Sequence, residues 1–206
     1  MVNQKISQSK NDETSQPRNR RGLRKNKRKQ CLKKLTMIGV NSAGLTSKLS
    51  SFDYLLSSLE PSIFFIEETK MKSQGRIKTK NSQKYQISEL LRKNKCGGGI
   101  AIGALEDLNP VWIAEGDDEV EVLVIQIEVQ QFPIRCIGAY GPQEKDKIER
   151  KFKFWARLSK EVEEAYESDC AIVFQMDGNL WAGNDLIKGD PNECNNNGRL
   201  FKNFLH

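Results

Sequence analysis

Asp177-Gly178-Asn179 follows directly on the apolar run Ala171-Ile172-Val173-Phe174-Gln175-Met176. A strand that ends in an acid and an amide delivers both side chains to one edge of a sheet. A hydrolase needs such an edge, where a proton acceptor stands beside a group that orients a phosphate. The run Ser62-Ile63-Phe64-Phe65-Ile66 ends in the same manner, in Glu67-Glu68-Thr69-Lys70. Thr36-Met37-Ile38-Gly39-Val40 ends in Asn41, and the run from Ile134 to Ala139 ends in Tyr140-Gly141-Pro142. Four strands thus finish in groups suited to metal and phosphate chemistry.

Each residue also has a plainer reading. Glu68 suits a hard cation, which prefers a few carboxylate oxygens plus water, but Glu67 and Glu68 could both be solvated loop acids. Asn41 is a good turn residue, and Asp-Gly-Asn is a common turn sequence. Tyr140 fits a core tyrosine with its hydroxyl at the rim. Trp181 could stack on a base or fill a groove, and packing explains it equally well. Asn195-Asn196-Asn197 reads first as a helix cap and second as a phosphate contact. Gly97-Gly98-Gly99 is no phosphate loop, because no Gly-Lys-Ser/Thr follows and it enters a strand.

The elements that must position these groups follow from periodicity. Thr36–Asn41 reads as a first strand, and residues 47–59 as a helix stopped by Pro61. Ser62–Ile66 reads as a second strand, parallel to the first through that crossover. Residues 71–86 read as a polar loop with strand character near Tyr85. Gly97–Gly103 enters a further strand, and residues 119–129 and 132–139 form a hairpin turning at Gln130-Gln131. Residues 144–167 read as the longest helix, with Ile148, Phe152, Trp155, Leu158 and Val162 as its buried stripe. Cys170–Met176 is the next strand, and an Asn-capped helix spans 198–205. The order is that of an α/β layered domain.

Composition narrows the class. The chain has 206 residues and a net charge of +6. Residues 1–34 carry +10 of that and the remainder carries −4. The basic block around Arg18–Lys29 lacks the apolar surface to offset chain entropy and is expected to be a disordered tail over residues 1–34. It could hold nucleic acid by counterion release or serve as a nuclear localisation signal. No apolar stretch approaches the roughly 20 residues of a membrane span. Five scattered cysteines, with no Cys-x-x-Cys pair, argue against a disulfide framework or zinc site and for a reducing compartment. An intracellular location, nuclear or cytoplasmic, is therefore expected. The only histidine is His206, which leaves most His-dependent triads without a base.

Order and spacing add to these readings. Asn41 with Ala43-Gly44-Leu45, residues 67–70, residues 97–102, Tyr140-Gly141-Pro142-Gln143, residues 176–183 and Asn196-Asn197-Gly198-Arg199-Leu200-Phe201 together resemble the endonuclease/exonuclease/phosphatase superfamily. Within it, the chain is most similar to the apurinic-endonuclease-like domains of non-LTR (LINE-type) retrotransposons. The resemblance covers about residues 35–205.

It implies a four-layered α/β sandwich, two mixed sheets flanked by helices, that hydrolyses phosphodiesters with Mg²⁺ or Mn²⁺. It also implies roles. Glu68 would bind the metal and Asn41 would help arrange its shell. Tyr140 would hydrogen-bond the scissile phosphate, Asp177 would activate water and Asn179 would orient phosphate and water. Asn197, or a neighbour within Asn195-Asn196-Asn197, would make a further contact to phosphate or backbone; the stacking role of Trp181 is read from its residue type alone. DNA is the expected partner, through the tail and the active-site face.

Two departures qualify this. The family's Gly-Asp-Phe-Asn is here Met176-Asp177-Gly178-Asn179. The family's later Ser-x-Ile-Asp and Ser-Asp-His segments are absent, so the sandwich over residues 35–206 is expected to be incomplete and its nicking activity crippled. The alternatives are a non-catalytic nucleic-acid-binding fragment and a phosphatase of the same superfamily.

Overall fold

The computed structural model describes residues 34–75, 77–92, 97–116, 120–180 and 195–205. The basic tail and Trp181 lie outside the described residues, so the expectations placed on them rest on sequence alone.

Eight strands form two four-stranded sheets. The first has the order β1 (Met37–Asn41), β2 (Ile63–Glu67), β4 (Ile100–Leu105), β3 (Tyr85–Leu90). The second has the order β5 (Val111–Glu115), β6 (Glu121–Val129), β7 (Phe132–Tyr140), β8 (Ala171–Asp177). Each sheet is mixed. β1 runs parallel to β2, and β7 parallel to β8, while the other neighbours are antiparallel. Both parallel pairs need a crossover, supplied by α1 (Leu49–Leu59) and α2 (Ile148–Glu167).

Apolar patterning stacks these elements into four layers. β2 is buried along its whole length. Its alternating side chains serve two cores, as the two-residue strand period requires. Ile63 and Phe65 pack into the space between the sheets with Ile102, Leu123, Ile125 and Ile127. Phe64 and Ile66 face the other way, onto Phe52 and Leu56 of α1. A third core packs Phe154, Trp155 and Leu158 of α2, with Phe201 and Phe204 of α3 (Asn196–Phe204), onto Val122, Val124 and Ile137. Complete burial of one such Ile or Phe contributes roughly 1.5–3 kcal/mol, so β2, fixed from both faces, is a rigid support for the residues at its end.

Several expectations need correction. The long helix begins at Ile148 rather than at residue 144, because Gln143–Asp146 closes a turn. The Asp146 amide donates to the Gln143 carbonyl at 2.9 Å, and the Gln143 amide to Asp146 Oδ2 at 2.8 Å. Its buried face is also rotated. Ile148 and Phe152 are 45% and 56% exposed. Lys151 and Glu161 lie inside, because the Lys151 ammonium donates to the Glu144 carbonyl at 2.6 Å and Arg157 pairs with Glu161 at 2.9 Å. The capped helix starts at Asn196, with Asn195 Oδ1 accepting from the Gly198 amide at 2.8 Å. β5, an exposed edge strand, was not foreseen. The expected hairpin turn is present, with Gln130 and Gln131 both at positive φ, 54° and 73°.

Candidate active site

The C-terminal ends of β1, β2, β7 and β8 meet. Register brings Asn41 beside Glu67 in the first sheet and Tyr140 beside Asp177 in the second. Asn41 Nδ2 donates to Asp177 Oδ2 at 2.9 Å, across the two sheets, while its own Oδ1 accepts from the Ala43 amide at 3.0 Å. The Asn179 amide donates to the second Asp177 oxygen at 3.2 Å. Asn179 holds a left-handed backbone (φ 46°), a conformation asparagine tolerates better than most residues. Its side chain donates to the Gly141 carbonyl at 2.9 Å and also contacts the Tyr140 hydroxyl. That hydroxyl donates to Glu68 Oε1 at 3.0 Å, and Glu68 in turn contacts the Asn41 amide. Asn41, Asp177, Asn179, Tyr140 and Glu68 therefore form a closed hydrogen-bonded ring.

Charge in this ring is arranged by its surroundings. Lys70, 3.0 Å from Glu68 Oε2, holds the Glu68 carboxyl below its ordinary range, with the Tyr140 and Asn41 donors helping. Burial raises the Tyr140 phenol, and its bond to Glu68 raises it further, so it remains a donor. Glu67, whose plainer reading was a solvated loop acid, is instead 3% exposed. Burial pushes its carboxyl up to about 7, against the Gln175 amide that favours ionisation, and the Asp177 charge adds to the rise. Glu67 Oε1 is buried with no hydrogen-bond partner. The residue Glu67 lines a cleft of about 390 Å³ with Gly39, Asn41, Gln175 and Asp177. Gln175 lies across Gly39, where a Cβ would sit 2.5 Å from its Cδ, so any larger residue at that point of β1 would have to push the Gln175 amide aside.

Solved structures share this architecture. An apurinic endonuclease from Archaeoglobus fulgidus matches at 19% identity with TM-score 0.61, covering 84% of this chain and 70% of its own. A 3′-phosphatase from Neisseria, bound to a product DNA hairpin, matches at 20% identity with TM-score 0.58, over 83% of this chain and 69% of its own. The endonuclease domain of TRAS1, a telomere-specific non-LTR retrotransposon, matches at 12% identity with TM-score 0.57, over 83% and 70%. The chain has the endonuclease/exonuclease/phosphatase fold. No family model and no curated protein matches the sequence.

Within that fold, five of the residues singled out from sequence come together. Asn197 does not face the cleft. It is wholly buried, and its amide donates to the Pro142 carbonyl at 2.5 Å and the Asn179 carbonyl at 3.2 Å, clamping the loops after β7 and β8. Sequence reasoning missed Glu67, Gln175 and the pair Arg92–Glu121. A polar residue inside the apolar run 171–176 was the signal for Gln175. For Arg92 and Glu121, 29 residues apart, no local signal exists.

That pair supports the ring from beneath. Arg92 and Glu121 are both buried and bonded to each other. The Arg92 guanidinium lies 5.6 Å from the Tyr140 ring centroid. Glu121 Oε1 accepts from the Gly99 amide at 2.6 Å. The Gly98 and Gly99 carbonyls then accept from the Lys70 and Thr69 amides at 2.9 and 3.0 Å. Gly97, Gly98 and Gly99 all hold positive φ, which explains the triple glycine as a brace for the loop that carries Glu68.

The oxygen donors of Glu67, Glu68, Asp177 and Asn41 fit a hard divalent cation such as Mg²⁺ or Mn²⁺. Among the described residues no three His, Cys, Asp or Glu converge as a ready-made metal cluster. Water and phosphate oxygens would complete such a shell. A larger hollow of about 530 Å³ lies along β3, but its buried carboxylate, Glu89, is already satisfied by the Gly75 and Ile77 amides at 2.7 and 3.2 Å. No described helix is long and apolar enough to cross a membrane.

Proposed function

We propose that this protein is a Mg²⁺- or Mn²⁺-dependent phosphodiesterase that nicks DNA, of the retroelement endonuclease type. The observation that carries this reading is the closed ring of Asn41, Asp177, Asn179, Tyr140 and Glu68. It joins a proton acceptor, neutral donors and a carboxylate around one cleft.

Asp177 accepts one hydrogen bond on each oxygen, from Asn41 and from the Asn179 amide. Each oxygen keeps a lone pair, so the carboxylate can take a proton from an attacking water while its orientation stays fixed. The Tyr140 hydroxyl and the Asn179 amide are neutral donors for the phosphate oxygens on which negative charge grows. Asn197 acts at one remove, by holding the two loops in register. Glu67, Glu68 and Asp177, with Asn41, would hold the cation, which when bound supplies positive charge against the phosphate. DNA is favoured as substrate by the motif resemblance and by the fold shared with the TRAS1 endonuclease domain. The basic segment 18–29 would add affinity without sequence preference.

Incubation of the purified chain with supercoiled plasmid tests this. Slow conversion to the nicked circle in Mg²⁺ or Mn²⁺, abolished by chelation, is expected. Equal conversion in chelator, or none with either ion at any protein concentration, would overturn it.

A further inference from the structure

We infer that residues 71–84, the segment between β2 and β3, form a basic strip that binds the sugar-phosphate backbone of DNA where it leaves the cleft. This rests on the DNA-directed reading above and adds a contact surface outside the hydrogen-bonded ring.

Charge singles the segment out. Residues 71–84 hold Lys72, Arg76, Lys78, Lys80 and Lys84 and no Asp or Glu. Residues 35–206 carry −4 overall, a balance that becomes −9 without these five. An acidic domain repels a polyanion, so a local cationic strip decides where one can lie. The fold holds the strip by its backbone and leaves its lysines outward. Glu89 of β3, 7% exposed, accepts from the Gly75 and Ile77 amides at 2.7 and 3.2 Å. Asp53 of α1 accepts from the Asn81 amide at 2.8 Å, and hydrogen bonds from Thr79 and Asn81 hold its carboxyl below the ordinary range. Among the described residues no carboxylate pairs with Lys72 or Lys78, and Lys84 meets the exposed Glu60 only at 3.9 Å.

Register sets the direction of the strip. Glu89 pairs with Ala101, and Ala101 with Ile66, the residue before Glu67. Gly75 and Ile77 therefore lie at the site end of the sheet, two strands or about 10 Å from β2. Tyr85 pairs with Leu105 at the opposite end, so residues 78–84 descend the outer edge over about 17 Å. One DNA strand presents a phosphate about every 3.4 Å of axis, so that descent matches about five. Along it lies the hollow of about 530 Å³, where Lys78 stands with the neutral side chains of Gln74, Gln83 and Ser88. Amide and hydroxyl donors beside a lysine suit phosphate oxygens. The apolar side chains of the segment, Met71 and Ile77, are 5% and 4% exposed, so it has no wedge to enter a membrane.

The test uses the full chain and a short labelled duplex, with affinity measured by fluorescence anisotropy across a salt series. Lys78→Gln combined with Lys80→Gln is expected to flatten the slope of log affinity against log salt by about 2 and to weaken binding about tenfold or more. Lys153→Gln combined with Lys160→Gln, on the exposed face of α2, makes the same charge change and is expected to leave the slope close to wild type. Equal slopes in all three proteins, or equal flattening by the two pairs, would overturn the inference. Unchanged DNA binding with lost binding to phosphatidylserine vesicles would overturn it too, by assigning the strip to a membrane surface. A wild type that binds DNA with the lysine-dependent slope but never nicks it would overturn the nuclease reading and uphold the strip. Where nicking occurs, the single-turnover rate of the Lys78→Gln, Lys80→Gln protein at saturation should equal that of the wild type, while the protein concentration at half-maximal rate rises. A fall in the saturated rate alone would place these lysines in the reaction instead of in binding and overturn the inference.

Discussion

Substituting Glu121 by Gln should destabilise this domain far more than its distance from the hydrogen-bonded ring suggests. The change is nearly isosteric, and the new amide oxygen can still accept from Gly99, so it removes charge alone. Arg92 then remains buried as a cation, with its Nε already lacking a partner. Breaking a buried pair in this way costs about 3–5 kcal/mol. Domains of this size have about 5–15 kcal/mol in total, so about a fifth or more of the stability is at stake. The Arg92 contact with the Tyr140 ring adds about 0.5–2 kcal/mol that depends on Arg92 staying in place. Urea unfolding at neutral pH, read by circular dichroism, measures the loss. A double-mutant cycle with Arg92→Met separates the pair from its parts. Removing both charges should recover about 2 kcal/mol or more relative to the sum of the single losses, because no buried ion is then stranded. The Glu121→Gln protein should also nick DNA more slowly, since the brace runs through Gly98 and Gly99 to the loop of Glu68. A loss below about 1 kcal/mol for Glu121→Gln, or strictly additive single losses, would refute the idea that this pair is a buried, mutually dependent support.

Glu67 should make apo stability depend on pH. Its folded value of about 7 lies above the ordinary 4.5, so its favourable contribution is complete below 4.5 and is lost as pH rises through 7. In chelator, the wild type should lose about 2 kcal/mol over that window relative to Glu67→Gln, allowing for the openness of the cleft; parallel urea midpoints would contradict this. Replacing Asn197 by Ala strips the donor from the Pro142 and Asn179 carbonyls and should cost about 1–3 kcal/mol, with hydrogen exchange rising in both loops if the clamp is real. Gly103→Ala would set a Cβ 2.1 Å from the Phe64 ring, inside a core shared with Phe52 and Tyr85. A loss of about 1–3 kcal/mol in thermal or urea unfolding is expected, and an unchanged midpoint would show that Phe64 can move.

Much of the architecture was legible because it is written in local pattern. The apolar runs before Glu67 and Tyr140 are short and continuous, as strands buried on both faces are; the run before Asp177 is as apolar but forms a half-buried edge strand, and each ends at a polar group. Gln130-Gln131 separates two strand-like runs, and the hairpin follows. β5 was hidden because it is an edge strand with Val111 half exposed, short and without clear alternation. Helix α2 misled because Phe152 looked inward by type. Lys151 is inside because a backbone carbonyl and Glu144 compensate its charge, and no periodicity reports that. At the site, strand ends located Asn41, Glu68, Tyr140, Asp177 and Asn179, since strand direction alone carries them to one edge. Glu67 was misjudged because a doublet of acids does not say which member turns inward; the left-handed backbone of Glu68 (φ 51°) decides it. Asn197 has the right residue type for a substrate contact, and only three-dimensional packing shows it buried.

The most direct measurement is the single-turnover rate of plasmid nicking in Mg²⁺ by the wild type and by Asp177→Asn, which keeps shape and removes the proton acceptor. A fall of about 10²–10⁴ is expected, with unchanged circular dichroism and urea midpoint close to wild type. Nicking by Asp177→Asn at the wild-type rate would contradict a site centred on Asp177.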